Sequence, residues 1–192
     1  MKRCFDVIAS FFGILILSPL LLAIAITVSL GSKGGVFYRQ QRVGQYGKDF
    51  TLYKFRSMRI NADTQGLLTI GGKDSRITKT GYFIRKYKLD ELPQLFNVLR
   101  GDMSLVGPRP EVRKYVNLYT AEQKRVLEVR PGITDPASIA FRNENDLLAE
   151  ASEPEKFYIA EVMPAKLRLN IQYLQNRSFC SDIGVIFRTI FH

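Results

Sequence analysis

The chain has 192 residues, 46% of them hydrophobic, enough for one compact domain with an appendage. Lys and Arg number 28 against 18 acids, a net charge of +10 that points to nucleic acid, acidic lipid or a phosphorylated substrate as partner. The only histidine is the last residue, His192, which argues against a Ser-His-Asp triad or a His-rich zinc site. Cys4 and Cys180 have neither metal-ligand spacing nor a disulfide framework, which favours a reducing compartment.

No residue from 7 to 32 is charged, so the chain opens on a candidate membrane segment. Three readings compete. A cleaved signal peptide would use Lys2 and Arg3 as its basic start and Ala23-Ile-Ala25 as its cleavage site, but no polar break precedes that site. A straight span is long enough, yet Lys2 and Arg3 before it and Lys33, Arg39, Arg42 and Lys48 after it put basic residues on both flanks. The third reading turns on Ser18-Pro19 near the middle of the run. A sharp bend there leaves arms of about 12 residues, each reaching roughly 18 Å, short of a ~30 Å hydrocarbon core. The segment would then enter and leave by one face, with Ser18 satisfying a carbonyl that the bend frees.

Residues 37–44 and 48–59 alternate as strands around a Gly44–Gly47 turn, which predicts a hairpin. Residues 61–81 are polar and glycine-rich and read as a loop with little fixed structure. Gly71-Gly72-Lys73 inside it lacks both the spacing and the preceding strand of a phosphate loop, and that label is rejected. Residues 82–88 form a short basic helix by pattern, residues 111–128 an amphipathic helix, and residues 143–163 an acidic helical stretch. Residues 183–191 end the chain in an amphipathic run suited to a core or to a membrane interface.

Covalent chemistry concentrates between residues 89 and 110. Asp90-Glu91 opens an apolar helical pattern, a Gly-Asp-Met-Ser turn follows, and Arg109 stands locked between Pro108 and Pro110. Acids at a helix start are ordinarily caps that complement the helix dipole, and Asp90 fits that role, with Pro93 tolerated in a first turn. Against this stands the density of cations in neighbouring turn-rich segments: Lys54, Arg56, Arg85, Arg100, Arg109 and Arg130. A carboxylate can attack phosphorus, a carboxylate pair can hold Mg²⁺, and a proline-locked guanidinium loses little entropy on gripping phosphate.

The run from Arg85 through Leu89-Asp-Glu-Leu-Pro-Gln-Leu-Phe-Asn-Val-Leu-Arg-Gly-Asp-Met-Ser to Val106-Gly-Pro-Arg-Pro resembles the bacterial sugar transferases, the monotopic phosphoglycosyl transferases. Tyr53-Lys-Phe-Arg-Ser-Met, Arg130-Pro-Gly-Ile-Thr and the opening Lys-Arg-x-Phe-Asp, with its Ser-Pro-interrupted apolar run, match further blocks of that family, so the resemblance covers nearly the whole chain. It implies transfer of a sugar-1-phosphate from a UDP-sugar to polyprenyl phosphate (undecaprenyl phosphate) with release of UMP, the first membrane step of surface glycoconjugate synthesis. It implies Asp90 as nucleophile, forming an aspartyl-phosphosugar, and Glu91 as Mg²⁺ ligand with Asp90 a second candidate. Phosphate and substrate contacts fall to Lys54, Arg56, Arg85, Arg109, Arg130 and Arg142.

The implied architecture is α+β and mainly helical. Residues 1–32 make a re-entrant membrane helix-break-helix, and residues 33–192 a small cytoplasmic catalytic domain with a short β-hairpin and interfacial amphipathic helices. The implied location is the bacterial inner membrane, cytoplasmic face, with anionic lipid as a partner and a homodimer left open. The chain looks like a minimal catalytic unit, without the extra spanning helices of long members. One block departs: many members continue Pro-Gly-Ile-Thr with Gly-x-Ala-Gln-Val-x-Gly-Arg, whereas this chain reads Asp135-Pro-Ala-Ser-Ile-Ala-Phe-Arg142. A basic membrane adaptor or nucleic-acid module is the competing class, but no nucleic-acid motif is present and the acid pair would have no role in it. A catalytically dead family member would have to explain an intact Asp90, Glu91 and Arg109.

Overall fold

The computed structural model describes residues 1–71 and 74–191, so Gly72 and Lys73 of the rejected phosphate loop and the terminal His192 lie outside the described residues. Helix α1 (Lys2–Gly31) precedes an antiparallel hairpin of β1 (Phe37–Val43) and β2 (Asp49–Phe55), in which Phe37 faces Phe55 and Val43 faces Asp49. The predicted turn is present, with Tyr46 and Gly47 both at positive φ. Helix α2 (Lys79–Lys86) starts where the Thr78 hydroxyl accepts the Gly81 amide at 2.9 Å. Helix α3 (Gln94–Arg100) ends on Gly101 at φ +98. Strand β3 (Ser104–Val106) and helix α4 (Arg113–Val116) follow. Strand β4 (Gly132–Thr134) pairs in parallel with β3. Helices α5 (Pro136–Ala140), α6 (Glu144–Glu150) and α7 (Pro154–Phe157) come next. A π turn at Tyr158–Val162 leads from α7 into α8 (Met163–Gln175), and α9 (Phe179–Phe191) completes the described chain. The expected α+β, mainly helical class holds, with the hairpin in place.

Three expectations need correction. The amphipathic helix over 111–128 is two short pieces, α4 and a 3-10 stretch at Gln123–Glu128. Thr120 and Gln123 exchange side chain-to-backbone hydrogen bonds at 2.9 and 3.2 Å, a reciprocal cap that restarts the chain in the middle of the apolar pattern. The described part of the 61–81 loop also has fixed structure, because a single side chain gathers residues 62–68. Arg76 donates to the carbonyls of Ala62, Gly66 and Leu68 and pairs with Asp74.

Helix α1 carries Pro19 inside one continuous helix, in place of the expected helix-break-helix. Proline lacks the N–H that would bond Leu15, and Ser18 supplies the replacement, its hydroxyl donating to the Leu15 carbonyl at 2.8 Å. Both ends of α1 are fastened to the same body. At the start, Arg3 donates to the carbonyls of Val98 and Leu99, at the end of α3, and Lys2 to that of Val106. Asp6 is buried and accepts from the Ser104 hydroxyl. At the far end, Ile24 and Val28 are buried with Phe55 and Ile84. Between them Phe11, Phe12, Leu15, Ile16 and Leu22 are bare. Helix α9 repeats this asymmetry, with Val185 buried and Phe187, Ile190 and Phe191 exposed.

Candidate active site

The acid pair lies in a tight 3-10 turn, Leu89–Glu91, which Lys88 enters at φ +56. The turn, then Leu92 and Pro93, leads into α3, so Asp90 stands outside that helix and its side chain caps nothing. Among the described residues its carboxylate has no hydrogen-bond partner, although Asp90 is only 5% exposed. Burial pushes its pKa up, against the pull of Lys54, and the neighbouring Glu91 charge adds to the rise. A buried, unbonded carboxylate costs stability, and the helix-cap reading does not account for one here.

Glu91 has the opposite surroundings. Lys54 Nζ donates to its Oε1 at 2.8 Å, and Arg109 grips both of its oxygens, at 3.0 Å on Oε2 and closer on Oε1. Burial alone would raise Glu91, but the Arg109 and Lys54 charges and hydrogen bonds outweigh it and hold the carboxyl well below the usual range. Burial lowers Lys54, with Glu91 opposing and Arg109 reinforcing the shift. Arg109 is raised, first by the Glu91 charge. The pair is therefore divided: one carboxylate is firmly ionised and counterbalanced, the other is desolvated and unbonded.

Strands β3 and β4 set the position of Arg109. Gly107 and Gly132 approach so closely that a Cβ on Gly132 would meet the Gly107 nitrogen at 2.1 Å, which only glycine permits. Gly107 N donates to the Thr134 carbonyl and Gly132 N to that of Pro108, so the Gly-Pro-Arg-Pro run is stitched to β4 by main-chain bonds.

A cavity of about 670 Å³ opens over this turn. Lys54, Arg56, Arg85, Asp90, Glu91, Arg109 and Arg142, all expected from the sequence, line it. Arg56 also donates to the Gly35 and Phe37 carbonyls, and Arg85 to the Thr69 hydroxyl. Arg130 is the exception. It donates to the Gly101 carbonyl and lines a separate cavity beside Lys2, Arg3 and Arg177, because the parallel β3–β4 pairing carries its side chain past the end of α3. Arg100 likewise bonds the Tyr53 hydroxyl, away from the acids.

The sequence reading missed several lining residues. Arg42 pairs with Glu111, whose other oxygen accepts from the Tyr158 hydroxyl at 2.6 Å, and Lys166 pairs with Glu144. Burial and the Glu111 charge hold the Tyr158 phenol far above its ordinary value. Only Arg42, in the basic alternation of β1, carried a local signal. Glu111, Tyr158 and Lys166 reach the cavity through tertiary packing. In the divergent block, Ser138, Phe141 and Arg142 all line the cavity.

Among the described residues no group of three or more His, Cys, Asp or Glu could cage a metal. Mg²⁺ needs less protein than that, one or two carboxylates completed by substrate oxygens. Three hydrogen bonds occupy Glu91, leaving room within the roughly four lone-pair sites of a carboxylate, and those of Asp90 are free. The pair fits such an ion. The site as a whole offers an unbonded carboxylate beside cations suited to a phosphate.

The chain matches the family model described as bacterial sugar transferase over residues 1–192. It is 43% identical to the uncharacterized sugar transferase EpsL of Bacillus subtilis, covering 99% of this chain and 85% of that protein. It is 38% identical to the UDP-N-acetylgalactosamine-undecaprenyl-phosphate N-acetylgalactosaminephosphotransferase of Aeromonas hydrophila, covering 98% of this chain and 42% of the relative. It is 36% identical to the UDP-glucose:undecaprenyl-phosphate glucose-1-phosphate transferase of Escherichia coli, covering 100% of this chain and 39% of the relative. The chain thus spans about two-fifths of the length of the latter two proteins. On the whole-length family match and the 43% identity to a near full-length relative, the chain belongs to the bacterial sugar transferase family.

Proposed function

We propose that the chain moves a sugar-1-phosphate from a UDP-sugar to polyprenyl phosphate, undecaprenyl phosphate by analogy with its named relatives, and releases UMP. The observation that carries this reading is Asp90, buried, without a hydrogen bond and open to a cavity ringed with cations. In the first step an Asp90 oxygen attacks the phosphorus that bears the sugar. The bond from that phosphorus to the UMP oxygen breaks, leaving an aspartyl-phosphosugar. In the second step an oxygen of the polyprenyl phosphate attacks the same phosphorus, the aspartyl bond breaks, and Asp90 returns as a carboxylate. Burial keeps the carboxylate poorly solvated and reactive, while Lys54 and Arg109 meet charge on the transferring phosphoryl oxygens. Glu91, with Asp90 beside it, would hold Mg²⁺, which when bound neutralises charge on the diphosphate.

The same reading places α1 in the cytoplasmic membrane as a re-entrant segment that enters and leaves by one face, with the rest of the chain on the cytoplasmic face. A helix fastened at both ends to one body supports that topology, since its ends cannot lie on opposite sides of a bilayer. The bare apolar residues of α1 and α9 supply the surface for lipid. The test is Mg²⁺-dependent UMP release from a panel of UDP-sugars with polyprenyl phosphate in detergent. Asp90→Asn is expected to lose about a thousandfold or more, and retention of full turnover would sink the nucleophile assignment. Tags at residues 1 and 192 should both report from the cytoplasm, and opposite faces would restore a straight span.

A further inference from the structure

Asp135 is wholly buried, at 0% exposed, and does not line the active cavity. Three donors converge on its carboxylate. The Arg109 amide donates to Oδ2 at 2.8 Å, the Ser138 amide to Oδ1 at 2.7 Å and the Ser138 hydroxyl to Oδ2 at 3.1 Å. The first bond has a particular consequence. Pro108 and Pro110 have no N–H, so Arg109 carries the single main-chain donor of the Pro-Arg-Pro run, and that donor goes to Asp135. The flanking prolines fix their own φ but leave the orientation of the intervening peptide open. The bond to Asp135 closes it.

We infer that Asp135 is a positioning residue: its carboxylate fixes the main chain of Arg109 and so aims the guanidinium at Glu91 and at the anionic group of a substrate. The same carboxylate starts α5, whose Ser138 lines the cavity, so one buried group joins the arginine clamp to a second lining element. An amide in its place keeps one acceptor and turns its NH₂ toward an N–H, leaving a buried donor unpaired. The role rests on the transferase reading for its kinetic consequence but not for its structural one, and the experiment separates the two.

Asp135→Asn, Arg109→Gln and the double variant are compared by UMP release and by amide hydrogen exchange. The Arg109 amide is expected to exchange about 100-fold faster in Asp135→Asn, with the β1–β2 hairpin amides unchanged. Turnover is expected to fall about 10- to 100-fold, with the Michaelis constant for the UDP-sugar within threefold. In the Arg109→Gln background the same change should cost less than twofold, because the group through which it acts is gone. Should Asp135→Asn not fold, Ser138→Ala removes one donor only, with an expected two- to fivefold loss and the same non-additivity. An unchanged Arg109 amide, or losses that multiply in the double variant, would overturn the inference. A wild type that turns over no UDP-sugar would refute the transferase reading alone, and exchange would still decide for or against Asp135.

Discussion

Asp90 and Glu91 are adjacent acids, and the structure gives their amide variants opposite effects on stability. In Glu91→Gln the Lys54 and Arg109 charges lose their shared counterion, with side chains 17% and 34% exposed around a carboxylate that is 12% exposed. Removing one partner of a buried pair costs about 3–5 kcal/mol. The low end applies, because Arg109 keeps some solvent and Lys54, already lowered by burial, can shed its proton. A loss of about 3 kcal/mol corresponds to a fall in Tm of roughly 6–12 °C for a chain of this size. In Asp90→Asn a buried, unbonded charge disappears, and the relief is partly offset by the lost attraction to Lys54. The expected result is a gain of about 1 kcal/mol, or roughly 2–4 °C, accompanied in the transferase reading by loss of turnover.

The pH dependence follows the same division. The lowered Glu91 contributes stability that is full above the ordinary glutamate pKa and is lost as pH falls toward its folded value. The wild-type advantage over Glu91→Gln therefore shrinks on acidification. The raised Asp90 subtracts stability at neutral pH; that penalty begins to shrink as pH falls through its folded value and is gone below the ordinary aspartate pKa. The gain of Asp90→Asn shrinks on acidification too. Thermal scans of wild type and both variants, in one detergent and at one scan rate, provide the check. Shifts of the same sign, or Glu91→Gln within 1 °C of wild type, would refute the division of the pair.

Other consequences are checked more briefly. Arg130→Gln should leave turnover within about threefold of wild type, since the side chain serves the Gly101 carbonyl outside the active cavity; a larger loss at unchanged Tm would return it to the site. Gly132→Ala drives a Cβ to 2.1 Å from Gly107 N and 2.7 Å from Thr134 O, main-chain atoms that cannot swing aside. A destabilisation of about 3 kcal/mol is expected by thermal unfolding, with turnover reduced as the clamp shifts. In the transferase reading the pH profile of kcat/KM should be a bell, its acid limb above the ordinary aspartate range if Asp90 must ionise and its alkaline limb below the ordinary lysine value if Lys54 must stay charged. Lys54→Arg should move the alkaline limb outward, and an unmoved limb would discharge Lys54 from that role.

What was legible in the sequence was whatever is encoded locally. The hairpin follows from alternation between residues 37 and 59 around a glycine turn, and the Asp90-Glu91 and Pro-Arg-Pro runs are contiguous. The failures come from side-chain contacts that composition and periodicity do not register. Arg76 orders a glycine-rich loop that its composition marks as open, and the Thr120–Gln123 cap cuts an apolar periodicity that looks continuous. Arg130 sits in a motif with the look of a phosphate clamp, and only the β3–β4 pairing reveals that it faces elsewhere. Asp135 was legible as a departure from the family pattern but not as a partner of Arg109, since nothing local links positions 26 residues apart.

The fastening of α1 ties the site to the apolar helix in a way that no single motif carries. Arg3 and Lys2 bind the carbonyls of Val98, Leu99 and Val106, which bracket the end of α3 and the strand just before the arginine clamp. Ile24 and Val28, at the other end of α1, pack with Phe55, the residue after Lys54, and with Leu89 and Leu92 on either side of the acid pair. The apolar helix is thus the floor on which Lys54, Asp90, Glu91 and Arg109 are arranged. In the transferase reading, a helix seated in lipid holds the nucleophile at a fixed height over the bilayer, where the phosphate of a polyprenyl acceptor lies. Substitutions on the inner face of α1 should therefore disturb catalysis through the geometry of the acid turn, whereas those on the bare face from Phe11 to Leu22 should act on membrane retention.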